Sequence, residues 1–120
     1  MTAANRRPYR ATDSDTAGTS TVTQDYLVPT GKVWQVGVLT AEFGTAAAGN
    51  TCDIQHDSEV TSTFVNLTDQ MLNFTKANYD PLSEYPDNIE LEAGKTLRFE
   101  FARGTSSTCA SKIRVRERDA

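Results

Sequence analysis

Residues 32–43, KVWQVGVLTAEF, are apolar on both alternating phases: Trp34, Val36 and Val38 on one, Val33, Leu39, Ala41 and Phe43 on the other. That pattern predicts a strand buried on both sides, or one covered by a subunit or by a terminal arm. Gly37 inside the run marks a bulge or a close backbone approach. Upstream, TSTVTQDYLV is rich in Thr, Val and Tyr, which suit a pleated surface. Between the two runs, Pro29 and Gly31 make a turn, since Pro fixes φ and Gly allows a positive one. Further on, Cys52, Ile54 and His56 alternate with Asp53, Gln55 and Asp57, and STFVNL is another strand candidate. Near the end, NIELEAGKTLRFEFARG reads as two strands joined by a turn at 93–95, with Ile89, Leu91, Leu97, Phe99 and Phe101 inward. In the closing run, Cys109, Ser111, Ile113 and Val115 face one side and Lys112, Arg114, Arg116 and Arg118 the other.

Two segments lack a period. Residues 1–18, MTAANRRPYRATDSDTAG, are small, polar and charged, and predict a flexible or extended arm. Residues 66–88 are dense in Asn, Asp and Pro and predict a long irregular segment, with one short helical turn near 70–74. The sum is an all-β chain: an antiparallel β-sandwich of jelly-roll or immunoglobulin-like kind, with seven to eight short strands over 19–120 and an N-terminal arm over 1–18.

A chain of 120 residues fits one domain. No apolar run approaches the ~18 residues of a membrane span, so no membrane contact is expected. MTAANRRPYR is followed by no apolar segment, so no secretory signal is expected. The net charge is −4 but unevenly placed. Arg6, Arg7 and Arg10 precede the first acid, the closing strand is basic, and residues 13–109 hold five basic and fourteen acidic residues. An acidic body with basic ends argues against direct nucleic-acid binding, which favours a basic face and a high pI.

Little here points to catalysis. The single histidine, His56, stands near Asp53, Asp57 and Glu59, but on a strand those acids point away from it. No GxSxG, HExxH, P-loop or dinucleotide fingerprint occurs, so neither enzyme activity nor a cofactor is expected. The sequons at Asn66 and Asn73 arise easily in Asn- and Thr-rich loops. Cys52 and Cys109 lie outside any CxxC or Cys/His cluster, which argues against zinc. They are either buried free thiols or a disulfide, since both fall on the inward phase of their strands. Tyr26, Trp34, Tyr79 and Tyr85 are the aromatics from which a sugar platform would be built. Trp34 reads as core, which leaves Tyr79 and Tyr85 in the irregular segment as a binding loop. The basic row Lys112, Arg114, Arg116 and Arg118 either protects an edge strand or docks an acidic surface. Arg6, Arg7, Tyr9 and Arg10 give the arm its means of ordering on a partner.

The stretches YLVPTGKVWQVGVL and IELEAGKTLRFEFARG, the long loop between them and the short basic closing strand resemble small β-sandwich proteins of tailed bacteriophage particles. These are capsid decoration (cement) proteins and related head or tail accessory proteins. The resemblance spans about residues 19–118. It implies a protein made in the host cytoplasm that binds the outside of an expanded capsid, often as a trimer near symmetry axes, and stabilises it. It implies the major capsid protein as partner, a homo-oligomer with a trimer favoured, and capsid contacts through the arm. It brings no catalytic residues. The competing expectation is a carbohydrate- or receptor-binding β-sandwich module of a phage tail.

Overall fold

The computed structural model describes residues 6–57, 63–81 and 89–120. Among them are ten strands: β1 (Arg7–Gly18), β2 (Val22–Leu27), β3 (Lys32–Phe43), β4 (Asn50–Asp57), β5 (Phe64–Asn66), β6 (Met71–Leu72), β7 (Lys76–Tyr79), β8 (Glu90–Glu92), β9 (Thr96–Arg103) and β10 (Ser107–Asp119). All pairings are antiparallel. The first sheet runs β1-β10-β3-β7, with β8 also on β3. The second runs β2-β9-β4-β5, with β6 also on β4. The two pack face to face as an all-β sandwich. The expected seven or eight strands fall short because β1 has no apolar period and β6 and β7, of two and four residues, are too brief to show alternation.

The two-phase apolar run in β3 comes mainly from a bulge, although Val33, on the opposite phase before it, is also buried. Ile113 of β10 pairs with Leu39 and Val115 pairs with Val36, so β3 carries one extra residue at Gly37–Val38. The bulge flips the phase. Trp34 and Val36 face the core before it, and Leu39, Ala41 and Phe43 face the core after it. Gly37 is required there, because a Cβ would lie 2.5 Å from the Arg114 carbonyl oxygen.

The two Gly-Lys turns share a role. Each carries a glycine at positive φ, Gly31 at 79° and Gly94 at 86°. The first takes the chain from β2 to β3 and the second from β8 to β9, so each crosses from one sheet to the other rather than closing a hairpin. They lie side by side, bonded through Val28.

Among the described residues, six of the seventeen in the core cluster are aromatic. Phe101 meets Phe43 edge-on at 5.4 Å and Phe99 meets Tyr26 at 5.9 Å. A buried polar chain joins the sheets beside it. Ser111 Oγ donates to Gln24 Oε1 at 2.5 Å, Gln24 Nε2 donates to Asp15 Oδ2 at 2.9 Å, and the Tyr26 hydroxyl lies 2.7 Å from Ser111 Oγ. At one end, buried Arg103 donates to the carbonyls of Thr16, Ser20 and Ser107.

Three segments differ from their sequence reading. Residues 7–18, read as an arm, are extended and lie in the first sheet as β1, paired with β10 from Arg7↔Glu117 to Gly18↔Ser107. Their polar character on both phases hid this, since β1 pairs through its backbone and buries little. The turn expected as helical near 70–74 contains β6 and then Asn73 at φ 57°, a left-handed residue that breaks helical continuation. The closing basic strand is not an edge: β10 lies between β1 and β3, so its charges are not guarding an open edge.

Candidate functional site: a basic outer sheet face

Pairing β1 with β10 merges two sets of residues that stand a hundred positions apart. Arg10 lies directly opposite Arg114, Pro8 opposite Arg116 and Thr12 opposite Lys112. Strand alternation sends Arg10, Lys112, Arg114, Arg116 and Arg118 to the outer face, because Ile113, Val115 and Glu117 between them are buried inward. Across β10, Gln35 and Thr40 of β3 continue that face.

The cations fall into two groups. Arg6 donates to Gln35 Oε1 at 2.7 Å and pairs with Glu90 at 3.2 Å, and Arg118 approaches Glu90 at 3.5 Å. Arg10, Lys112, Arg114 and Arg116 are exposed and make no ion pair among the described residues. Like charges directly opposite on neighbouring strands are unfavourable, so the fold gains nothing from Arg10 facing Arg114. Beside them lies an open depression of about 320 Å³ walled by Pro8, Arg10, Gln35, Gly37, Val38 and Arg116. A second, separate trough on the same face is lined by Thr12, Ser14, Glu42 and Lys112.

Arg7 and Tyr9, the other residues of the sequence-derived arm set, lie on the alternate phase of β1 and stay partly exposed. Arg7 reaches Glu117 at 3.8 Å and Asp119 at 3.6 Å. Tyr9 stacks on Trp34 at 5.4 Å. Trp34 is buried, and its indole N–H donates to Glu117 Oε2 at 2.9 Å. So Arg6 and Arg10 belong to the outer face, while Arg7 and Tyr9 help anchor β1.

Tyr79, expected in a binding loop, is buried. It is 3% exposed, and its hydroxyl donates to the Leu67 carbonyl at 3.1 Å, which places the ring in the core and out of reach of a ligand. Tyr26 and Trp34 are buried too, and Tyr85 lies outside the described residues. Cys52 and Cys109 are free, buried thiols. Burial pushes both thiols up, with Asp53 adding to the effect at Cys52, so neither is primed as a nucleophile. His56 is half-buried with Nδ1 2.8 Å from the Asp57 carbonyl oxygen. Among the described residues no three His, Cys, Asp or Glu side chains gather to hold a metal.

The outer face of the second sheet has the opposite character, which the sequence did not reveal. Asp53 lies directly opposite Glu100, and Asp25 and Asp57 are on the same face. Arg98 is bidentate to Asp25 at 2.8 and 2.9 Å and covers the Phe64 ring at 3.7 Å. No motif spacing links these residues. Only the register of β9 between β2 and β4 brings them together.

No family model and no curated protein matches this chain. Several solved structures do. The SPBc2 prophage-derived protein YomS is 14% identical, with a TM-score of 0.49 over 91% of this chain and 95% of that one. The Yersinia pseudotuberculosis-derived mitogen is 10% identical, with a TM-score of 0.50 over 90% of this chain and 85% of that one. Aeromonas hydrophila PliG, a periplasmic lysozyme inhibitor of g-type lysozyme, is 7% identical, with a TM-score of 0.42 over 95% and 91%. At 10% identity the likeness to the mitogen is one of fold alone.

Proposed function

We propose that this chain is a structural virion protein, a capsid decoration protein that lays its β1-β10-β3 face on an acidic surface of the major capsid protein. The observation that carries this reading is the cross-strand pair Arg10–Arg114. With Lys112 and Arg116 it forms an exposed row of cations without ion pairs among the described residues, beside an open trough. Such a surface is electrostatically incomplete alone and complementary to an acidic one. On a repeating lattice each contact need only be modest, because many copies act together. The tail-module alternative loses support with Tyr79 buried.

The test is co-sedimentation with expanded capsids of the phage that encodes the chain. Wild-type protein is expected to pellet in many copies per particle, and Arg114→Glu/Arg116→Glu protein to stay in the supernatant. Equal binding by both proteins, or no binding by wild type, would overturn the reading.

A further inference from the structure

The two outer faces of the sandwich carry opposite charge. On the first sheet, Arg10 and Arg114 are direct cross-strand partners. On the second, Asp53 and Glu100 are direct cross-strand partners. Each is a like-charge pair that disfavours its own sheet, and each is what the other lacks. Among the described residues, Asp53 has one long hydrogen bond, from Gln70 at 3.4 Å, and Glu100 makes no ion pair.

Both faces also carry apolar positions. Leu27 and Leu72 stand out from the acidic face, 61% and 53% exposed. Their register partners are Thr96 and Thr51, on the outward phase of β9 and β4. The depression on the basic face is walled by Pro8, Gly37 and Val38.

We infer that the acidic outer face of β2-β9-β4 binds the basic outer face of β1-β10-β3 of a second copy of this chain. The contact is heterologous, because either face set against itself repeats like charges. Opposed faces let the contact repeat from copy to copy. It shares the basic face with the proposed capsid contact. A copy seated on a capsid keeps its acidic face free for the next one.

Sedimentation velocity of the full chain over a concentration series tests this. Wild type is expected to associate at low salt and to weaken by about tenfold or more at high salt, the scale of a few exposed ion pairs. Asp53→Lys/Glu100→Lys and Arg10→Glu/Arg114→Glu proteins are each expected to remain monomeric alone and to associate when mixed. A wild type that stays monomeric at low salt up to millimolar concentration overturns the inference. So does a mixture of the two variants that fails to associate while both remain folded by circular dichroism.

Zero-length amine–carboxylate cross-linking of wild type gives a second readout that needs no variant. Lys112 and Glu100 lie on opposite outer faces of one chain, so a Lys112–Glu100 or Lys112–Asp53 cross-link forms only between chains. Its presence in the dimer band is expected, and its absence from an associated sample overturns the assignment of faces. Capsid binding by Asp53→Lys/Glu100→Lys protein separates the two proposals, because docking on a capsid needs only the basic face.

Discussion

Val28 and Lys95 are bonded through their backbones, the Val28 N–H donating to the Lys95 carbonyl at 2.9 Å. The Val28 carbonyl in turn accepts the Gly94 N–H at 3.0 Å, so the corner that ends β2 clasps the corner that begins β9. This is why the chain uses Gly-Lys twice. Both corners change sheet, and both need a glycine where φ is positive. A Cβ at Gly31 or Gly94 meets nothing within 4 Å, so substitution tests the backbone alone. Gly31→Ala and Gly94→Ala should each cost about 1–2 kcal/mol in denaturant unfolding, and the Asn variants less. A Gly94→Ala protein as stable as wild type would mean the corner relaxes freely.

Gly37 is constrained by space rather than by φ. A Cβ there would press on the backbone carbonyl of Arg114, which cannot swing away as a side-chain tip can. Gly37→Ala should therefore destabilise by about 1–3 kcal/mol, the range for overpacking. It should also disturb the trough, whose wall Gly37 forms. Amide chemical shifts near Arg114 and Val115 report the local change. An unchanged unfolding midpoint would place the bulge elsewhere.

The same bulge shows how far the sequence could be read. Alternation in 109–115 and 97–101 gave the inward faces directly, because those strands are regular over their whole length. In β3 both phases are apolar, and the sequence signalled the irregularity at Gly37 without its consequence, a phase flip that puts Trp34 and Phe43 on one face. β1 was illegible as a sheet strand, since its contribution is backbone pairing and cross-strand charge, neither of which has a hydrophobic period. The basic row on β10 was visible, but not its junction with Arg10, which exists only through that pairing. Tyr79 misled because a buried tyrosine in an irregular segment looks the same in sequence as an exposed one.

The indole of Trp34 depends on Glu117 as its acceptor, both being buried. Glu117→Ala removes the acceptor and leaves a buried N–H unpaired, which should cost about 1–3 kcal/mol. Glu117→Gln keeps an acceptor in place and should lose about 1 kcal/mol or less. Urea unfolding with Trp fluorescence follows both. Equal losses in the two variants would show that the bond itself contributes nothing.

The thiols set a pH dependence with a defined sign. Burial raises Cys52 above its ordinary 9.0, and Cys109 in the same direction. The unfolded chain then releases these protons at lower pH than the folded one. Their stabilising contribution is complete below pH 9.0 and is lost as pH climbs beyond it towards the raised folded values. Tyr26, raised chiefly by burial from 10.0, adds to the slope further up. The melting temperature of wild type should fall across this alkaline window more steeply than that of Cys52→Ala protein. Neither thiol should react with a disulfide reagent until the chain unfolds. Parallel melting curves, or rapid native labelling, would contradict the burial of these groups.

Arg10 separates docking from folding most cleanly. Facing Arg114 across the β1–β10 ladder, it costs the sheet rather than supporting it. Arg10→Glu converts a like-charge pair into an opposite one and should stabilise the fold by about 0.2–1 kcal/mol, fading as salt is raised. The same change removes a cation from the centre of the basic row, so capsid co-sedimentation should weaken while stability rises. A residue kept for folding would show the reverse, a lower melting temperature with docking untouched. Opposite signs in one variant, measured by thermal unfolding and co-sedimentation on the same preparation, mark Arg10 as held in place for a partner.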